Sequence, residues 1–168
     1  VRRVLEKYDI LLVMDEVICG FGRTGKWFGN IFYGMKPDLM TFAKAVTNGY
    51  QPLGGVMVGE RVAEVLTTRG GEFGHGFTYS GHPAACAAGL ATLKILREEK
   101  VIENVESVTG PHLARRWAEL ADHPLVGEAR TLGLFGALEL VKDKATRERF
   151  APGGRAGSVC RQASLNNG

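Results

Sequence analysis

The run Ile10-Leu11-Leu12-Val13-Met14 holds five apolar side chains without a polar break and then turns acidic at Asp15-Glu16. Unbroken apolarity, as opposed to alternation, predicts a strand buried on both faces, as in a parallel sheet. A second run, Leu39 to Ala43, follows the turn signal Pro37-Asp38 and ends at Lys44, and Val56-Met57-Val58 is a third strand candidate. Between and after them lie helical patterns. Val1, Val4, Leu5 and Tyr8 share one stripe, and Glu60 to Thr68 carries Val62, Val65 and Leu66 on one side. Pro83 opens a helix over Ala84 to Glu99, where its missing N–H costs nothing. That helix is expected to turn Leu90, Leu93 and Leu96 inward, and its small first half, Ala84 to Gly89, requires another backbone to pack close. Gly110 to Ala121 reads as a further helix and Leu132 to Val141 as a strand. Helices alternating with buried strands give an α/β class with a mainly parallel sheet. In such sheets ligands sit at the carboxyl ends of strands, where this sequence puts Asp15 and Lys44.

Composition narrows the remaining classes. The chain has 168 residues, which suits one domain or slightly more. Glycine numbers 23, about twice the usual share of roughly 7%; clustered between apolar runs, it signals tight turns and close backbone approach. A net charge of +3 is too small for a nucleic-acid footprint. No apolar run reaches the length of a membrane span, and with no apolar stretch after Val1-Arg2-Arg3 a signal peptide is not expected. Cys19, Cys86 and Cys160 match neither a disulfide framework nor a zinc site, so no metal is expected and a reducing cytoplasm is. After about residue 100 glycine thins and charge rises, so a division into 1–100 and 101–168 is expected. The chain opens inside a helical stripe and closes on the turn residues Ser164-Leu165-Asn166-Asn167-Gly168 with no closing element. It reads as a piece of a longer protein.

Three short segments carry chemistry. Gly20 to Trp27 (GFGRTGKW) nearly spells a phosphate-binding P-loop, but Trp27 stands where a magnesium-binding hydroxyl is required, and the loop follows its acidic strand instead of preceding it. Lys44, flanked by Ala43 and Ala45 at a strand end, is in a position where desolvation would free an amine for Schiff-base chemistry; the ordinary alternative is a lysine reaching out to solvent. Asp15 alone could cap a loop. Together the pair has a sharper meaning: pyridoxal phosphate (PLP) needs a lysine for its aldehyde and an acidic partner for its pyridine nitrogen. Val17 would supply an apolar wall for the ring. Thr78, in His75-Gly76-Phe77-Thr78-Tyr79-Ser80-Gly81-His82-Pro83, is a hydroxyl among glycines and free N–H groups, suited to a phosphate or to an ordinary surface turn.

Asp15-Glu16-Val17-Ile18-Cys19-Gly20-Phe21-Gly22-Arg23-Thr24-Gly25 resembles the D-E-V-x-x-G-[FL]-G-R-x-G signature of class III PLP-dependent aminotransferases. Asp38 to Lys44 resembles the segment ending in their cofactor lysine, and Gly76 to Pro83 their phosphate-contacting threonine segment. The three occur in the family's order and spacing. The resemblance implies fold type I, with part of the large mainly parallel sheet domain followed by part of a small C-terminal α+β domain. It implies Lys44 as cofactor lysine and proton shuttle, Asp15 as partner of the pyridine nitrogen, and Val17 against the ring. Thr78 would bind the phosphate in a neighbouring subunit, because the family's sites lie across a homodimer interface. Tyr50-Gln51-Pro52-Leu53-Gly54-Gly55 and Phe77 to Pro83 look most like the ω-amino acid:pyruvate branch, so the implied reaction moves an amino group from an ω-amino acid or amine to a keto acid such as pyruvate. A same-fold aminomutase, racemase or decarboxylase, or a truncated chain without catalysis, are the alternatives. The family's phosphate loop, ring-stacking aromatic residue and substrate-carboxylate arginine find no match here, so this polypeptide alone is not expected to complete an active site.

Overall fold

A computed structural model describes residues 1–167. It divides into two compact units, residues 1–107 and 108–168. In the first, α1 (Arg2–Lys7) leads into β1 (Val13–Asp15), and a tight loop then reaches the short α2 (Gly29–Phe32). Next come β2 (Leu39–Phe42), a 3-10 turn (Lys44–Val46), β3 (Gly55–Val58), α3 (Glu60–Arg69), α4 (Pro83–Glu98) and α5 (Val101–Asn104), and then a π-helical turn over Val105–Thr109, within which the division falls. The sheet order is β1-β2-β3. β1 and β2 are parallel, with Val13 opposite Leu39 and Asp15 opposite Thr41; β3 returns antiparallel to β2. Asp38 fastens the far end of this sheet. Its backbone accepts from Gly59 N–H at 2.7 Å and its Oδ2 from Leu12 N–H at 2.7 Å.

Phe21, Val46 and Leu96 form the core, joined by Phe28, Phe42 and Leu53. Phe21 meets the rings of Phe28 and Phe42 edge-on, at 5.2 and 6.0 Å between centroids, geometries that aromatic quadrupoles favour. α4 closes this core. Pro83 starts it, and Nδ1 of His82 accepts from Ala85 N–H at its N-terminus. Its inward stripe is Ala85, Gly89, Thr92 and Leu96. The close approach expected of the small residues occurs at Gly89, where an added Cβ would lie 3.1 Å from Leu53 and 3.7 Å from the Val46 carbonyl. α4 thus lies directly on the turn that begins with Lys44.

Two expectations fail in this unit. β1 is not buried on both faces: Val13 is 56% exposed, and Ile10 and Leu11 are also open. Leu11 and Val13, on one face, are exposed, whereas Leu12 and Met14, on the other, are half-buried. Leu90 does not face inward either, at 69% exposed. The stripe actually used is set by the smallest side chains, because only they let α4 reach the turn below it.

The second unit contains α6 (Gly110–Glu119), a 3-10 turn (Leu120–Asp122), the antiparallel β4 (Val126–Leu132) and β5 (Phe135–Asp143), the short β6 (Glu148–Arg149) and α7 (Arg155–Asn166). Val141 and Val126 are its buried centre, and Trp117 of α6 donates its indole N–H to the Ala137 carbonyl at 3.2 Å. The expected strand Leu132–Val141 is in fact a hairpin. The chain reverses at Gly133, whose φ of +55° suits a two-residue turn, and the apolar pattern runs through the reversal. The expected close on turn residues is also corrected. α7 continues through Asn166, with Ser164 bonding back to the Cys160 carbonyl, while Gly168 lies outside the described residues. No helix among the described residues is long and apolar enough to cross a membrane.

Candidate active site

Parallel pairing of β1 and β2 carries both strand ends to one edge of the sheet, so Asp15 and the segment leading to Lys44 leave the sheet side by side. Asp15 is the last residue of β1 and is exposed. Its Oδ1 accepts from Val17 N–H at 3.0 Å and from the Thr41 hydroxyl at 3.2 Å. Lys44 opens the 3-10 turn two residues after β2, in a left-handed conformation with φ +49°. That conformation is costly for a residue with a Cβ, roughly 1–2 kcal/mol, and strain of this kind persists only where surroundings enforce it. Here Val46 N–H bonds back to the Ala43 carbonyl, Thr47 N–H bonds to the Lys44 carbonyl, and α4 presses on Val46. The Lys44 side chain is exposed. The apolar surroundings expected around its amine are therefore not present, because none of the described residues closes over it.

Val17 is half-buried one residue beyond Glu16, and its N–H is the one that holds Asp15. Thr78 lies in an exposed turn between α3 and α4. Ser80 N–H bonds the Phe77 carbonyl at 2.9 Å, and the Ser80 hydroxyl accepts from Phe77 N–H at 3.0 Å, which fixes the turn around Thr78. The same turn borders a cavity of about 750 Å³ whose walls include Ala43, Gln51, Leu53, Phe77, Tyr79 and His82. The turn therefore reaches the neighbour of Lys44, but Thr78 is not among the residues lining that cavity. The β1–β2 pairing brings Asp15, Val17 and the Lys44 turn to one edge of the sheet.

Glu16 is the residue that the sequence reading passed over. It is 1% exposed. Its carboxylate accepts from Gly29 N–H at 2.8 Å and Asn30 N–H at 2.6 Å, at the start of α2. Its own N–H bonds the Thr41 carbonyl at 3.0 Å, and its carbonyl accepts from Gly20 N–H at 2.8 Å. One residue thus ties β1, β2 and both ends of the glycine loop. A Cβ at Gly29 would stand 3.2 Å from both Cys19 Cβ and Glu16 Oε2, so a side chain there would press on this anchor. Burial, helped by the charges of Glu16 and then Asp15, pushes the Cys19 thiol above its ordinary range. A carboxylate in a run that reads as buried strand was the available signal, since such a group needs donors. Nothing in the sequence identified Gly29 and Asn30 as those donors.

A carboxylate with one oxygen open and a primary amine, at adjacent strand ends, suit a group with a protonated ring nitrogen and an aldehyde. Among the described residues no cluster of His, Cys, Asp and Glu could hold a metal ion.

Known proteins give the same direction. The family model for class III aminotransferases matches residues 1–166. The putrescine–pyruvate aminotransferase of Pseudomonas aeruginosa is 60% identical over the whole chain, which covers 36% of that protein. A transaminase structure from directed evolution by ancestral reconstruction superposes with a TM-score of 0.93 at 51% identity, over 99% of this chain and 37% of its own. The omega-transaminase of Pseudomonas jessenii, in complex with PMP, gives 0.84 at 42% identity over 94% and 35%. The chain therefore spans about a third of the length of these relatives, with the mixed α/β architecture of fold type I transaminases. It belongs to the class III aminotransferase family.

Proposed function

We propose that this chain is part of a PLP-dependent transaminase that moves an amino group from an ω-amine or ω-amino acid to a keto acid such as pyruvate. The observation that carries the reading is the pairing of β1 with β2, which sets an aspartate and a strained lysine turn at one edge of the sheet. PLP, when bound, supplies an aldehyde for amines and a ring that accepts electrons. Lys44 would hold that aldehyde and, once displaced by the donor amine, carry a proton to and from the substrate carbon. A placed amine in that role is worth about 10²–10⁴ in rate. Asp15 would accept a hydrogen bond from the ring nitrogen and keep it protonated, while Val17 would shield the ring face. Thr78, in an exposed turn, would offer its hydroxyl to the cofactor phosphate of a second subunit, which requires a homodimer. In this reading residues 1–107 are part of the cofactor domain and 108–168 part of the small domain. The free thiols suit a cytoplasmic enzyme.

The donor class follows the P. aeruginosa relative, whose name specifies putrescine and pyruvate. The test uses the full-length protein loaded with PLP and given putrescine or β-alanine, with and without pyruvate. Alanine formed in step with donor loss, and only when pyruvate is present, is the expected result. Carbon dioxide release or isomerised donor without pyruvate would replace transfer by decarboxylation or mutation.

A further inference from the structure

Two donors converge on one oxygen of Asp15. Val17 N–H and the Thr41 hydroxyl both reach Oδ1, and no described residue donates to Oδ2. The convergence follows from register. Asp15 and Thr41 are partners in adjacent parallel strands, so their side chains leave the same face of the sheet. Met40 and Phe42 alternate to the other side, where Met40 is buried and Phe42 packs on Phe21. Thr41 is therefore the single polar residue in an otherwise apolar strand, on the face that carries Asp15. Its β-branched side chain has few χ1 choices, so its hydroxyl is held in place before anything binds. Its carbonyl is fixed as well, accepting from Glu16 N–H.

We propose that Thr41 is a positioning residue for Asp15. With Val17 N–H it engages Oδ1 and leaves Oδ2 as the oxygen presented to the protonated ring nitrogen of the cofactor. This rests on the functional reading above and adds a residue to it. Without the hydroxyl, one donor remains and the carboxylate turns more freely about χ2, a broad torsion on its own. The hydrogen bond to the ring nitrogen is then met in a smaller share of orientations. Cofactor binding weakens, and the ring nitrogen spends less time protonated.

The experiment uses the full-length protein with Thr41→Val, which keeps shape and removes the donor, and Thr41→Ser, which keeps the donor. PLP affinity is titrated by absorbance, the protonation of the ring nitrogen is read from its chemical shift in ¹⁵N-labelled PLP, and the melting temperature of the apo protein is recorded. Thr41→Val is expected to weaken PLP binding about tenfold, the size of one hydrogen bond, and to move the ¹⁵N signal toward the unprotonated ring. Thr41→Ser is expected to restore both, with the apo melting temperature unchanged in either variant. A Val variant with native affinity and native ¹⁵N shift overturns the proposal. So does equal loss in Val and Ser with lowered melting, which assigns the effect to packing. A native protein that takes up no PLP removes the functional reading and this inference with it; native uptake with no effect of Thr41→Val removes this inference alone.

Discussion

Glu16→Gln is the sharpest structural perturbation the site offers. The substitution keeps size and shape, so no cavity opens. It replaces one of two acceptor oxygens with an NH₂ group, which must face either Gly29 N–H or Asn30 N–H. One hydrogen bond to a charged group is lost, worth about 1.5–3 kcal/mol. The surviving bond loses its charge assistance, about half its strength. A neutral amide costs less to bury than a carboxylate, which offsets part of this. The net is about 2–3 kcal/mol, acting on the loop from Gly20 to α2 while leaving α4 alone. At about 1.4 kcal/mol per factor of ten, amide hydrogen exchange at Gly29 and Asn30 should accelerate roughly 30- to 150-fold. Thr92 and Leu96, on the buried face of α4, serve as internal controls and should keep their rates. Unchanged exchange at Gly29 and Asn30 would refute the anchoring role. Equal acceleration at Thr92 and Leu96 would refute its locality.

Three further outcomes follow from contacts elsewhere. In the second unit, a Cβ at Gly136 would lie 2.8 Å from the Trp117 indole, which is tied to the Ala137 carbonyl. Gly136→Ala should therefore cost about 1–3 kcal/mol, seen as a lower urea midpoint and a shifted Trp117 indole N–H resonance. Cys19, with its thiol pushed up by burial and by the Glu16 and Asp15 charges, should alkylate more slowly at pH 7.5 than exposed Cys86 and Cys160; in Glu16→Gln, with one repelling charge gone, it should react faster than in the native chain. Thr146 N–H, at 2.7 Å, and then its hydroxyl, at 2.8 Å, hold the Asp143 carboxyl below its ordinary 3.8. A depressed carboxylate adds stability that is complete above about pH 4 and disappears as pH falls through the lower folded value. The Thr146 amide shift should titrate with a midpoint under 3.8, and a midpoint at or above it would contradict the contact.

What the sequence made legible was local and periodic. α3 and α4 stand within a residue of their expected ends because Pro83 and the apolar stripes are local signals. The strand ends near Asp15 and Lys44 were legible because each apolar run stops at a charged group. The reversal at Gly133 was hidden because Leu132, Leu134 and Phe135 keep the run apolar through the turn. The inward face of α4 was legible at Leu93 and Leu96, which reach the core, but not at Leu90, because size, which sequence periodicity does not weigh, admitted Gly89 in its place. Glu16 and Thr41 were missed for another reason: their partners lie 13 and 26 residues away, and only the β1–β2 register brings Thr41 to Asp15.

Under the proposed function Lys44 holds the cofactor. Borohydride reduction of the full-length protein loaded with PLP fixes a pyridoxyl group wherever the aldehyde is bound, and peptide mass spectrometry locates it. A label on the peptide containing Ala43-Lys44-Ala45 is the predicted result; a folded, PLP-treated protein with no label, or with the label on another lysine, would contradict it.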